Sequence, residues 1–125
     1  MRRYVIEAWL LLLYFEYVMH FRRFRELHRM VRDEPVTHVK PEAKVPTETL
    51  CHAMDLACVF YFKQVLCLQR SAATTVLLRR HGWSVEMVIG AQLLPYRSHA
   101  WCELNGVVVN DKPYTAEIYA VLERC

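Results

Sequence analysis

The chain has 125 residues, of which 54% are hydrophobic and only three are glycine, so one domain with a real core is expected and disorder is excluded. A formal net charge of +3 is too small to signal a nucleic-acid partner, and the excess is local: residues 1–32 hold seven arginines against three glutamates. Five cysteines, an odd number with no Cys-x-x-Cys pair and no cleavable signal peptide, fit reduced thiols in a cytoplasmic protein; no two Cys/His pairs have metal-ligand spacing.

Tyr4 to Val31 contains neither proline nor glycine and predicts one long helix. Its first half is apolar nearly all round, broken by Glu7 and Glu16. The uninterrupted run from Ala8 to Phe15 covers only eight residues, short of the ~20 a membrane span needs. In its second half Arg22, Arg25, Glu26 and Arg29 form a solvated face, and Phe21, Phe24, His28 and Val31 form the opposite stripe. Burial against the core or a partner is the first reading of residues 4–31, and association with a membrane surface is the second. Residues 33–46, with three prolines, read as a connector. Thr47 is expected to cap a second helix, whose buried face is marked by Leu50, Met54, Ala57, Cys58, Tyr61 and Val65.

A third helix is expected from Cys67 or Leu68 to His81. Arg79, Arg80 and His81 place positive charge on its last turn, and Gly82 stops it. Beyond it the pattern changes to β-branched and apolar residues. Val85 to Leu93 reads as a strand, Pro95-Tyr96 as a turn, and Ser98–Leu104 with Val107–Asn110 as a hairpin around Asn105-Gly106. Ile118 to Leu122 reads as a last strand or a short helix. Helices followed by a small antiparallel sheet make the fold α+β. Residues 1–125 form a single domain, with a long apolar helix and connector over 1–46 and the helical-plus-β core over 47–125.

Three residues in this order can carry chemistry together: Cys67 opening a helix, His99 opening a strand, Asp111 closing the next. A helix N-terminus favours the thiolate, a histidine can hold the proton the thiol loses, and a carboxylate on the other ring nitrogen fixes the tautomer. The hairpin register decides whether they can meet. A two-residue turn pairs Leu104 with Val107 and sets Asp111 opposite Ala100; a bulged three-residue loop pairs Glu103 with Val107 and sets Asp111 opposite His99. The triad therefore calls for the bulged loop, although the sequence allows either. Read singly, Cys67 is a small hydrophobe, His99 a structural donor and Asp111 a turn residue. Cys102 alternates with Trp101, so it faces away from His99 into the core.

The stretches "CLQRSAATTVLLRRHG", "VEMVIGAQ", "YRSHAWCELNGVVVND" and "YAVLERC" resemble the transglutaminase-like cysteine peptidases of lasso-peptide biosynthesis, the B2-type maturation proteins. The resemblance covers nearly the whole chain, including the apolar N-terminal helix with its Phe-Arg-Arg exit. It implies a transglutaminase-like, papain-like core in which the nucleophile helix packs on a small antiparallel sheet. It also implies removal of the leader from a ribosomally made precursor peptide, after which an asparagine-synthetase-like cyclase closes a macrolactam on the freed amine. Cys67 would be the nucleophile, His99 the general base and acid, and Asp111 the orienting acid. The Cys67 backbone N–H is the natural oxyanion donor, with Gln64 or Gln69 as candidates for a second; either could equally be a solvated helix residue. Gln69 stands where many members have proline, and neither glycine nor proline separates the second helix from Cys67. Trp101 shares the face of His99 and shields the imidazole or packs in the core, while Arg70 and Ser71 brace the helix start or touch substrate. The chain lacks the winged-helix domain of fused members, which implies a separate leader-recognition protein. No metal or other cofactor is expected, and a nucleotide requirement is left open. The competing readings are a transglutaminase-type acyl transferase and a non-enzymatic scaffold for precursor and cyclase.

Overall fold

The computed structural model describes residues 1–93, 96–112 and 114–125. Pro95, in the expected turn before the second strand, lies outside them. In chain order the elements are α1 (Arg2–Phe21), α2 (Phe24–Asp33), a short 3-10 turn (Pro41–Ala43), α3 (Thr47–Val59), α4 (Cys67–Arg80), β1 (Val85–Leu93), β2 (Tyr96–Leu104), β3 (Val107–Val108), α5 (Thr115–Ile118) and β4 (Ala120–Arg124). The sheet is antiparallel with order β3-β2-β1-β4. α4 lies on β1 and β2, and α1 packs across α3 and α4 on the far side. The architecture is α+β with α4, the helix that opens at Cys67, against a small antiparallel sheet, as the sequence predicts.

The core is built from alternating faces. Ala8, Leu11, Leu12, Phe15 and Val18 of α1 meet Leu50, Met54 and Ala57 of α3 and Ala72, Ala73, Val76 and Leu77 of α4; Val85, Met87 and Cys102 close it from the sheet. α4 is buried along nearly its whole length after the first turn. By length and composition α1 could pass for a membrane span. Here, however, one of its faces forms a wall of this core.

The expected single helix over residues 4–31 is two helices, because the chain leaves helical geometry at Arg22 (φ −128°, ψ 161°). No proline or glycine marks the break. Its gain is tertiary: the turn brings Leu27 and Val31 of α2 into the core, where a straight helix would carry them past it. Phe21 and Phe24, expected on the buried stripe with Val31, are therefore exposed. Thr47 is the first residue of α3 and not its cap; Pro46 holds the cap position with extended backbone. α3 also ends earlier than its apolar spacing implies. Tyr61 and Val65 lie beyond it, and Tyr61 reaches α1 from the turn, its hydroxyl donating to Leu12 O (3.4 Å) and Glu16 Oε1 (3.2 Å). The segment Ile118–Leu122 contains both expected forms, the end of α5 and the start of β4.

Glu103 shows how the sheet holds a charge. Its carboxylate is nearly inaccessible and accepts Trp101 Nε1–H at 2.7 Å and an Arg124 N–H at 2.8 Å. Burial alone raises such a pKa, but the bonds from Arg124 and Trp101 outweigh it and hold the group below its usual range. A folded-state pKa depressed this way adds stability above the unfolded value, which is lost as pH falls through the folded value. Urea midpoints measured from about pH 6 down to pH 3 should fall less steeply for Glu103→Gln than for wild type. Parallel curves would mean that this carboxylate does not couple to folding.

Candidate active site

Cys67 is the first residue of α4 and the exposed one of five unpaired cysteines. Burial, the largest cause each time, pushes the thiols of Cys51 and Cys125 up to about 11 and that of Cys102 to about 12, and it raises Cys58 as well. Those four sites oppose thiolate formation. Cys102 faces α4, as its alternation with Trp101 predicts, with its Sγ 3.2 Å from Ser71 O and 3.1 Å from Thr75 Oγ1.

Local chemistry makes the helix start at Cys67. Gln69 turns its Oε1 back to the Leu66 N–H, a long contact of 3.4 Å, while its amide nitrogen donates to Leu12 O at 2.8 Å and Glu16 Oε1 at 3.2 Å. Gln69 is thus a buried tie between α4 and α1. It is buried, not solvated, and it does not line the cavity that holds Cys67. Gln64 is exposed in the preceding turn and does not line the cavity. Neither glutamine candidate for the second oxyanion donor stands at the site. The Cys67 N–H is one of the first-turn groups that a helix leaves without an internal partner.

His99 and Asp111 do meet: His99 Nε2 lies 2.5 Å from Asp111 Oδ2, and the other carboxylate oxygen accepts the Lys112 N–H at 2.8 Å. The route differs from the expected one. Asn105 (φ +53°) and Gly106 (φ +80°) are both left-handed and make the tight two-residue turn, pairing Leu104 with Val107 and Glu103 with Val108. The bulged loop does not form. A ladder continued in this register would put Asp111 opposite Ala100, on the wrong face. Instead the strand ends at Val108. The Val109 N–H still reaches Cys102 O (3.0 Å), but the Cys102 N–H donates to the side chain of Asn110 (Oδ1, 2.7 Å). A side-chain acceptor has replaced the backbone carbonyl of Val109. The chain bends over residues 109–111, Asn110 Nδ2 touches Ser71 Oγ at 3.4 Å, and Asp111 swings to His99.

The imidazole is further held by aromatic rings. Trp101, fully buried, stacks at 6.0 Å between centroids, and Tyr119 lies at 5.3 Å. Gly90 pairs directly with His99 across β1 and β2, and a Cβ there would come within 2.7 Å of Trp101 and 2.9 Å of Tyr119. The missing side chain makes room for both rings. Burial works against the charge of Asp111, but the bonds from His99 and the Lys112 N–H, helped by the charge of Arg70, hold its pKa below the ordinary value. The neutral ring that donates to this carboxylate carries its proton on Nε2, which leaves the Nδ1 lone pair free.

Cys67, Arg70, Ser71, His99, Ala100, Asn110 and Asp111, with Val65, line one open cavity of about 290 Å³. Among the described residues no hydrogen bond joins Cys67 Sγ to His99, and no cluster of side chains could hold a metal ion. Arg70 also pairs with Asp55 on α3. Asn110, Tyr119 and Gly90 are the residues that sequence reasoning missed. An asparagine beside the candidate aspartate, a residue type that replaces backbone partners at bends, was the available signal for the first.

A cysteine on the first turn of a helix thus shares one cavity with a His–carboxylate pair at the edge of an antiparallel sheet. The chain belongs to the transglutaminase-like superfamily, whose family model matches residues 9–124. Over 56 residues it is 34% identical to the microcin J25-processing protein McjB of Escherichia coli; the match covers 45% of this chain and 27% of that relative, about a quarter of the latter's length. No solved structure matches.

Proposed function

We propose that the chain is a cysteine peptidase that removes the leader of a lasso precursor peptide, with Cys67 as nucleophile, His99 as base and acid, and Asp111 as orienting acid. The observation that carries this reading is the His99–Asp111 bond in a cavity that Cys67 also lines. The similarity to a microcin J25-processing protein supports the substrate class.

In the proposed cycle Cys67 gives its proton to His99 Nδ1, and the thiolate attacks the last carbonyl carbon of the leader. The oxyanion so formed meets the Cys67 N–H. The carbon–nitrogen bond breaks as Nδ1 returns the proton to the leaving amine, which departs as the free N-terminus of the core peptide. Nδ1 then takes a proton from water, whose oxygen attacks the thioester; the leader leaves as a carboxylic acid and the thiol is restored. The freed amine is the group a partner cyclase of asparagine-synthetase type needs for ring closure. A separate winged-helix-type protein presents the leader in this reading, and the unpaired thiols suit the cytoplasm. The same acyl-enzyme supports transglutaminase-type transfer, in which an amine replaces water; family membership favours keeping that reading beside hydrolysis.

The test is mass spectrometry of a lasso precursor incubated with this protein and its leader-binding partner, wild type against Cys67→Ala. Cleavage at one site by wild type only is expected, with no mass shift when a primary amine is added. Equal products from both proteins would remove Cys67 from the chemistry and leave the scaffold reading.

A further inference from the structure

α1 is apolar on two opposite faces, and the core uses only one. On the outer side Ile6, Leu10, Leu13, Tyr14, Tyr17 and Phe21 recur at helical spacing and are each between 40% and 74% exposed. The end of α3 and the turn after it enlarge this surface with Val59, Phe60 and Phe62, each at least 66% exposed, and are fastened to α1 by Trp9, whose Nε1–H reaches Phe60 O at 3.4 Å. A contiguous patch of this kind on a small domain marks a binding surface.

The charges say what covers it. Both carboxylates of α1 are drawn off the outer face into bonds within the protein: Glu7 pairs with His81 at 3.1 Å, and Glu16 with Lys63 at 3.0 Å and with Tyr61 and Gln69. What remains outside is apolar surface with exposed arginines at both ends, Arg2 and Arg3 at one and Arg23 and Arg25 at the other, where Arg22 is paired with Glu26 at 2.8 Å. Tyrosines among the apolar residues and basic groups at the ends suit the headgroup boundary of a bilayer. A helix of 20 residues lies ~30 Å along such a surface. It cannot cross the bilayer with this fold intact, because Ala8, Leu11, Leu12, Phe15 and Val18 are held in the core.

We propose that the outer face of α1, with residues 59–62, docks the protein flat on an anionic lipid surface. The proposal does not depend on the chemistry at Cys67. The test is co-sedimentation of the full chain with vesicles of phosphatidylcholine alone and with added phosphatidylglycerol. Wild type should pellet with the anionic vesicles. Arg2→Glu with Arg3→Glu should weaken that partition by roughly tenfold or more, and Leu10→Glu with Tyr17→Glu should abolish it. These side chains lie outside the core, so the variants should melt at the wild-type temperature, which separates lost docking from lost folding. Wild type left in the supernatant with both vesicle types would overturn the proposal, as would pelleting unchanged by Leu10→Glu with Tyr17→Glu. A dimer in solution that dissolves with those substitutions, without vesicle binding, would also overturn it and assign the face to a second copy of the chain.

Discussion

Replacing Arg79 by methionine should lower the free energy of unfolding by about 3–5 kcal/mol, whereas Arg80→Met, one residue on, should change it by less than ~1 kcal/mol. The guanidinium of Arg79 is buried and donates in four directions: to Val85 O at 2.9 Å, to Val31 O, to Glu34 O at 3.2 Å and to Cys125 O at 2.7 Å. It thereby joins α4 to the end of α2, the start of β1 and the end of the chain beyond β4. Bonds from a charged donor contribute ~1.5–3 kcal/mol each, and bonds sharing one side chain are not additive, so the total falls well below their sum. Methionine keeps much of the volume but leaves four carbonyls without this donor. Arg80, half exposed, makes one ion pair with Glu34 at 3.2 Å, which solvent screens. Urea denaturation of both variants is the measurement. Equal midpoints would show that the carbonyls find other partners and that Arg79 is no tie.

Arg79 also marks the limit of reading a fold from sequence. As part of an Arg-Arg-His helix end it looks like a charge for the helix dipole, and Arg80 does stay on the surface of that last turn, paired with Glu34. For Arg79 that reading fails because its acceptors are backbone atoms of residues 31, 34, 85 and 125, which local pattern cannot place together. Gln69 is the same case, a polar helix residue whose partners lie on α1. By contrast α4 and β1 are legible almost to the residue. Their signals are local: apolar spacing, β-branched alternation, and Gly82 at φ +92°, where a Cβ would also come within 2.9 Å of Val39. The break between α1 and α2 lacks such a signal, since only the burial of Leu27 and Val31 dictates it. At the candidate site the chemical types in Cys67, His99 and Asp111 were legible, but the path that joins the last two was not. Register counting assumes that a strand continues. This strand stops, and a side chain takes over the ladder.

The bend that this side chain makes leads to an expected effect on activity at two neighbouring residues. Asp111→Asn should reduce kcat/KM for precursor cleavage by roughly 10²–10⁴-fold, because an amide neither fixes the tautomer of His99 nor balances the imidazolium. Asn110→Ala should reduce it by roughly 10- to 100-fold with Asp111 intact, since misplacing a group by about an ångström costs that much. Without the Asn110 Oδ1 acceptor the Cys102 N–H turns to the Val109 carbonyl, the ladder extends, and Asp111 moves toward Ala100 and away from His99. Asn110 acts through Asp111, so the double variant should be no slower than Asp111→Asn alone. Two independent losses would instead multiply. The ring nitrogens of His99 give a reading that needs no substrate. Nitrogen NMR of the neutral ring should find the proton on Nε2 in wild type, and both single variants should lose that preference. If Asn110→Ala slows cleavage yet leaves the proton on Nε2, Asn110 serves stability or substrate contact. If the proton sits on Nδ1 in wild type, the His99–Asp111 bond is not the orienting contact, and the order of proton transfers proposed for Cys67 must be redrawn.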